Sequence, residues 1–190
     1  MMRVAYFTAF MLGLMSLMAG CQSTQQVVNS YKLLQPRSAT NLETTYLSCA
    51  SSIACEFARV DDVLVINENT HWPTKDAIER GLLRLEGSLF SRHHQYGLSL
   101  IPGEHEVVVR FYPVTNERME SFHLIHKFMA GQTYKLAMYR QKIQGNRSLL
   151  NVAIPGPLCV DLLQNDVVLR RFCRPFDAMT GMGEFVEQKV

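Results

Sequence analysis

The chain has 190 residues, of which 47% are apolar and 19% are charged, and its formal net charge is +2. This composition is that of an ordinary globular protein, and Lys and Arg form no basic stripe. Because nucleic-acid binding relies on clustered cations, the sequence argues against nucleic acid as a partner.

The N-terminal segment is typical of a bacterial lipoprotein signal peptide. Arg3 supplies the positive charge, residues 4–18 form an apolar run, and Ala19-Gly20 are the small residues that precede a cleavage site. The run is shorter than the roughly 20 residues of a comfortable bilayer span. We therefore predict a signal peptide over residues 1–20 and a lipidated, palmitate-carrying N-terminus at Cys21. The alternative is an ordinary secretory signal or a short anchor helix, but neither requires a cysteine at this position.

The residues after the predicted cleavage site indicate where the protein resides. Gln22 stands where the Gram-negative signal for inner-membrane retention usually has Asp, so the resemblance to that sorting rule implies the outer membrane. We expect the protein to face the periplasm, and exposure on the cell surface is the alternative. Residues 21–46 are polar and predict a tether, residues 47–176 a β-rich periplasmic domain, and residues 177–190 a C-terminal tail. Removal of the signal leaves about 170 residues, enough for one domain with its own core.

Four cysteines remain in the predicted mature chain, an even number that predicts two disulfides in an exported domain. Of three possible connectivities we favour Cys49–Cys55 with Cys159–Cys173. The second pair brackets two strand-like runs, and a three-residue turn centred on Asp166 would place its cysteines opposite each other. Zinc is disfavoured, because the spacing is not Cys-x-x-Cys and no His lies at a matching offset.

Most of the region between the cysteine pairs alternates apolar and polar residues, which predicts strands. Predicted strands fall within residues 57–66 (interrupted by a turn at Asp61-Asp62), 96–101, 105–112, 122–128, 134–138 and 149–154. In the strand 105–112, the odd-numbered residues share one face, and Glu106, Val108, Arg110 and Tyr112 share the other.

Residues 75–89 carry the helical pattern of the chain. Ile78, Leu82, Leu85 and Leu89 recur at helical spacing, and Pro73-Thr74 precede them as a helix start would. The sequence predicts one inserted amphipathic helix whose apolar stripe packs against the sheet.

Residues 98–109, with a Pro-Gly-Glu-His turn, and residues 128–134, with an Ala-Gly-x-x-Tyr turn, resemble the PEGA-type small β-domains of bacterial surface proteins and lipoproteins. The Pro-Glu-Gly-Ala signature itself is missing from the chain. The resemblance implies a mainly β fold, an antiparallel β-sandwich of transthyretin or PEGA type. It also implies a binding or scaffolding module without catalytic residues.

No motif in the sequence indicates catalysis, a metal or a cofactor. His93-His94 are adjacent, His123 and His126 fall on opposite faces of a strand, and neither pair has a carboxylate at a ligand offset. Asp61-Asp62 precede an apolar strand and are better read as turn residues than as a calcium site or an acid–base pair. Gly-x-Ser-x-Gly and Ser-x-x-Lys patterns do not occur.

These observations favour a non-enzymatic, lipid-anchored envelope protein that binds or scaffolds another cell-envelope component. The alternatives are an accessory lipoprotein of a secretion or surface-assembly system and, third, a cell-wall or polysaccharide hydrolase, which needs paired carboxylates in a cleft. His71, Trp72, Ile78 and Leu82 are the possible partner surface. Trp72 has the chemistry to stack on a sugar ring, although a single Trp before a helix is more often a core or cap contact.

Overall fold

The structure is a computed structural model that describes residues 44–50, 53–86, 95–113, 119–142, 156–175 and 183–190. Cys21, the signal segment and most of the predicted tether lie outside the described residues. Leu89, His93, His94 and the predicted strand at residues 149–154 lie outside them as well.

Most of the described residues lie in strands, and there is one short helix, so the chain is mainly β as predicted. In chain order the elements are β1 (Thr45–Cys49), β2 (Ala54–Val60), β3 (Val63–Leu64), α1 (Lys75–Glu79), β4 (Leu83–Glu86), β5 (Gln95–Leu100), β6 (Gly103–Tyr112), β7 (Glu120–Phe128), β8 (Thr133–Arg140), β9 (Leu158–Gln164), β10 (Val167–Arg174) and β11 (Val186–Gln188). No described helix is long and apolar enough to cross a bilayer.

The strands are arranged in two sheets. The seven-stranded sheet has the order β11-β10-β9-β8-β1-β5-β4, and the four-stranded sheet has the order β3-β2-β6-β7. Neighbours in both sheets are antiparallel, except for the parallel pair of β1 and β8. The β5–β6 and β7–β8 connections each carry the chain from one sheet to the other.

The apolar faces of the longer strands pack into a core between the sheets, as the alternation predicts. Phe122 of β7 meets Phe172 of β10 with ring centroids 5.2 Å apart, and Phe128 meets Tyr134 of β8 at 5.0 Å. The fully buried side chains are large, which is where apolar burial contributes most. They include Leu47, Phe57, Leu98, Val107, Val109, Phe111, Leu124, Leu136, Met138, Val160 and Leu162.

The predicted helix over residues 75–89 is wrong beyond Glu79. Thr74 caps α1 by accepting a hydrogen bond from the Ala77 amide at 3.2 Å, but Gly81 adopts a left-handed φ of 65° and ends the helical path. The chain then enters β4, which pairs with β5. Of the predicted stripe, Ile78, Leu82 and Leu85 are only half-buried, whereas the neighbours Ala77 and Leu83 are buried.

Both disulfides have the predicted pairing, Cys49–Cys55 and Cys159–Cys173. The first links β1 of the larger sheet to β2 of the smaller one. The predicted three-residue turn is wrong: Asn165 and Asp166 alone form the turn, and both have a positive φ.

The structure also corrects the predicted boundaries of the β-rich domain. β1 begins at Thr45, inside the predicted tether, because its residues pair with β5 and β8. β11 lies inside the predicted tail and adds a strand to the edge of the larger sheet at β10.

Candidate functional site

The segment that follows β3, residues 65–74, is here called the Trp72 loop. The Asn67 side-chain oxygen accepts hydrogen bonds from the amides of Asn69 at 2.9 Å and Thr70 at 3.1 Å. The Asn67 main chain also donates to the Trp72 carbonyl at 3.0 Å and accepts from the His71 amide at 2.9 Å. These four bonds around Asn67 fix the backbone of the loop.

Hydrogen bonds also hold the base of the Trp72 loop. Ile66 and Pro73 form an antiparallel bridge, and the Thr74 amide donates to the Val65 carbonyl at 2.9 Å. The Thr74 hydroxyl donates to the Leu64 carbonyl at 2.6 Å. Val65 and Ile66 are buried, so apolar burial anchors the loop to the body of the domain.

His71 has a left-handed φ of 56°, a conformation that side chains other than Gly rarely adopt. This turn places His71 and Trp72 on the exposed side of the loop. The Trp72 residue is 62% exposed, and the His71 side chain is 52% exposed. A rigid loop therefore presents an indole and an imidazole to solvent.

Arg110 of β6 lies beneath the loop and is only 4% exposed. Its guanidinium donates to the Ile66 carbonyl at 2.7 Å, and the carboxylates of Glu56 and Glu68 lie 3.6 Å and 4.0 Å from its terminal nitrogens. The Arg110 Nε atom is buried and has no hydrogen-bond partner. A buried cation requires such compensating anions, and so Arg110 ties the loop to the face of the sheet.

Glu56 of β2 connects Arg110 to the exposed part of the loop. Its Oε2 atom accepts a hydrogen bond from the Tyr112 hydroxyl at 2.9 Å, and its Oε1 atom lies 2.8 Å from His71 Nδ1. Burial, followed by the hydrogen bond and the charge of Glu56, raises the pKa of Tyr112 to about 12. Tyr112 therefore stays protonated and keeps donating to Glu56 at neutral pH.

The contact with Glu56 sets the orientation of the His71 ring. A carboxylate only accepts, so Nδ1 of His71 donates to Glu56. The His71 ring also meets the Tyr112 ring edge-on, with centroids 6.3 Å apart. The site thus combines an oriented imidazole, an aromatic surface and nearby carboxylates, which is the chemistry of a binding surface.

A second polar cluster holds the β2–β3 turn. Asp61 Oδ2 lies 2.7 Å from His105 Nδ1, and Asp61 Oδ1 accepts from the Glu106 amide at 2.9 Å. Burial alone would raise the pKa of Asp61, but the hydrogen bonds from His105 and Glu106 outweigh burial and lower it. The interpretation of Asp61-Asp62 as turn residues is confirmed.

A third cluster joins β8, β9 and β10. Asp161 is buried, and Arg171 donates to its two oxygens at 2.7 Å each. The Tyr139 hydroxyl lies within 3.2 Å of the same carboxylate. Both carboxylate oxygens of Asp161 bind neighbours in the sheet, so this cluster stabilises the sheet.

The described residues contain no group of three or more His, Cys, Asp or Glu side chains placed to hold a metal ion. His123 is exposed on β7, and His126 is half-buried on its opposite face, as their spacing predicts. Burial, and then the charge of Arg170, lower the pKa of His126. Its ring packs edge-on against Phe128 and Tyr134, which is a core role.

The four residues of the predicted partner surface do not play equal parts. His71 and Trp72 are exposed on the Trp72 loop, whereas Ile78 and Leu82 are half-buried at the end of α1. There the Ile78 carbonyl accepts from the Gly81 amide, and the Leu82 amide donates to the Ala77 carbonyl.

The sequence reasoning missed the supporting residues of the site, Glu56, Glu68, Arg110 and Tyr112. A signal was present for one of them: Arg110 interrupts the apolar run Val107-Val108-Val109 and Phe111. A cation in such a run indicates a buried charge that needs an anion. Its partners come from a different strand and a loop, and sequence pattern does not supply them.

The chain matches no protein family model, no curated protein and no solved structure.

Proposed function

We propose that this protein is a non-enzymatic lipoprotein, anchored in the outer membrane through Cys21 and facing the periplasm. Its β-rich domain binds another cell-envelope protein, and the Trp72 loop is the contact surface. The lipoprotein-like segment before Cys21 supports the anchor. The two disulfides suit an oxidising compartment such as the periplasm.

The observation that carries this proposal is the exposure of Trp72 on a loop that is already fixed. An exposed indole offers a large apolar area, and Trp is among the residues that dominate binding energy at interfaces. Because hydrogen bonds already order the loop, binding costs little further conformational entropy. Truncation of such an anchor costs about 2 kcal/mol or more of binding free energy.

The assignment to a transthyretin- or PEGA-like sandwich belongs to the same proposal. Two sheets with a shared apolar core support it, and so do the turns at Gly103 and Gly131, which lead from one sheet to the other. Domains of this kind generally serve as binding or scaffolding modules, in keeping with an exposed loop as the contact surface.

Site-specific photo-crosslinking in intact cells tests the contact surface. A photoreactive amino acid replaces Trp72 in one variant and Lys75, on the exposed face of α1, in the matched control. We expect a discrete crosslinked envelope protein from position 72 and none from position 75. Equal crosslinking at the two positions, or none at 72, would contradict the proposed surface.

Fatty-acid labelling tests the anchor separately. Labelled palmitate should enter the wild-type protein and not the Cys21→Ser variant, because the sulfur that carries the lipid is missing. Gln22→Asp should keep the labelled protein in the inner membrane when the two membranes are separated. Labelling of Cys21→Ser at the wild-type level would refute the lipoprotein assignment.

A further inference from the structure

The last strand of the larger sheet, β11, is weakly held compared with its neighbours. It pairs with β10 through three residues, Val186, Glu187 and Gln188, and all three are exposed. By contrast, β9 pairs with β10 along seven positions and buries most of its residues. Short strands at a sheet edge contribute little free energy of their own.

Two side chains anchor β11 on the side that faces the four-stranded sheet. Phe185 packs edge-on against Phe122 at 5.3 Å and lies beneath the Arg174 guanidinium. Two residues later, Glu187 accepts two hydrogen bonds from Arg170, each 2.7 Å long. The anchors follow the two-residue repeat of a strand and form a pattern of one aromatic and one acidic residue.

Arg170 of β10 makes side-chain contacts with both sheets. Its third nitrogen donates to the Ile125 carbonyl of β7 at 2.8 Å, and its guanidinium covers the Phe172 ring at 4.7 Å. These two contacts are with β7 and with β10 itself and not with β11, so they hold the Arg170 cation at the edge. An acidic side chain at the position of Glu187 is the complementary group.

The edge of β10 is longer than the strand that covers it. β11 pairs with residues 171–173, and in the described part of the chain residues 167–170 have no strand partner on that side. A depression of about 430 Å³ lies alongside, lined by Leu169, Arg170, Glu187, Gln188, Lys189 and Val190. Val167 and Leu169 expose apolar surface at this edge.

We propose that β11 occupies a strand-addition site, and that an extended segment of a partner protein binds the same edge of β10 by displacing it. The segment carries an aromatic residue and, two positions later, an acidic one. It begins pairing at the open residues 167–170 and then takes the place of β11. A longer strand gains main-chain hydrogen bonds that β11 does not make, which offsets the advantage of the tethered strand.

The bulge at Leu169 explains why this edge is selective. The register of β10 shifts between Val168 and Arg170, so the open part of the edge is not a flat template for indiscriminate pairing. A segment that binds must follow this bend and also satisfy Arg170. This inference does not rest on the Trp72 loop, which follows β3 of the four-stranded sheet.

The test uses a fluorescent peptide with the sequence of residues 183–190, GEFVEQKV, and the full chain. In the Glu187→Arg variant, Arg170 repels β11. We therefore expect this variant to bind the peptide at least about tenfold more tightly than the wild-type chain does. Glu184→Arg is the matched control, since it makes the same change of charge at an exposed residue that precedes β11, and its affinity should equal that of wild type. A peptide with arginine at the position of Glu187 should bind neither the wild-type chain nor the Glu187→Arg variant.

Three results would overturn the proposal. One is equal peptide affinity in wild type and Glu187→Arg, and another is an equal gain of affinity in Glu184→Arg. The third is a Glu187→Arg chain that forms concentration-dependent dimers which the peptide does not dissociate, because the occupant would then be a second copy. If Glu187→Arg fails to fold, hydrogen exchange of the wild-type chain is measured with and without excess peptide. We expect the β11 amides to exchange faster when the peptide is present, and unchanged exchange would refute displacement.

Discussion

Cys159 lies directly opposite Cys173, with their Cα atoms 4.1 Å apart, although the turn between β9 and β10 contains only two residues. A regular hairpin closed by Asn165 and Asp166 would pair Cys159 with residue 172. The bulge at Leu169 adds one residue to β10 and moves Cys173 into register. The turn and the bulge together therefore produce the disulfide that a three-residue turn would also have produced.

Removal of this disulfide should destabilise the domain strongly. Replacement of Cys159 and Cys173 by Ala releases a loop with a sequence separation of 14 residues, and we expect a loss of about 3 kcal/mol in unfolding free energy. The corresponding change at Cys49 and Cys55, separated by six residues, should cost about 0.7 kcal/mol less. Urea unfolding of the two variants measures both losses. Equal losses would show that loop length does not govern the effect.

Burial along the strands follows from the sequence because each side chain alternates between two faces. In the predicted strand 122–128, alternation places Phe122, Leu124, His126 and Phe128 on one face, and this face does turn to the core, with His126 half-buried. The prediction of a helix over residues 75–89 was wrong beyond Glu79 because apolar residues in its second half also fit a strand. Gly81, in the middle of the segment, was the sequence signal for the end of the helix that the prediction missed. The parallel pairing of β1 with β8 joins residues far apart in the sequence, and no local pattern encodes it.

The end of α1 gives a direct comparison of two neighbouring leucines. Leu83 is buried and begins β4, whereas Leu82 is half-buried in the turn before it. Leu83→Ala should therefore lower the unfolding free energy by about 2–5 kcal/mol, in the range of other buried large-to-small changes. Leu82→Ala should cost clearly less. Denaturant unfolding of both variants measures the difference, and the reverse order would mean that the helical stripe is the buried one.

Gly97 of β5 is required because the Tyr46 ring of the neighbouring strand β1 lies across it. A Cβ atom at Gly97 would overlap the end of that ring, including Cε2 at 2.7 Å. Tyr46 would have to move and lose the hydrogen bond that its hydroxyl donates to Glu86 at 2.6 Å. We expect Gly97→Ala to destabilise the domain by about 1–3 kcal/mol, as overpacking does.

A double-mutant cycle identifies the cause of that loss. In the Tyr46→Ala background the overlapping ring is gone, so the added methyl group of Gly97→Ala should cost much less. Thermal or urea unfolding of the four chains measures the coupling. Additive losses would show that Gly97 matters for its backbone and not for the ring above it.

The raised pKa of Tyr112 predicts how the Trp72 loop responds to alkali. The folded value of about 12 exceeds the ordinary 10.0, so the unfolded chain loses this proton first as the pH rises. The contribution of Tyr112 to stability is therefore complete below pH 10 and is lost as the pH rises to about 12. Tyr112→Phe should flatten the fall in unfolding free energy over that interval.

Glu56→Gln separates the carboxylate from burial as the cause of the shift. It removes the negative charge that favours the protonated phenol, so the pKa of Tyr112 should move toward its ordinary value while burial keeps part of the shift. Glu104→Gln, an exposed change on the same strand β6, is the matched control and should leave the tyrosine titration unchanged. Tyrosinate absorbance, taken as the difference between each variant and its Tyr112→Phe counterpart, isolates this one residue. Identical Tyr112 titrations in wild type and Glu56→Gln would show that Glu56 does not hold the hydroxyl, and that the link from Arg110 through Glu56 to the exposed loop is not made.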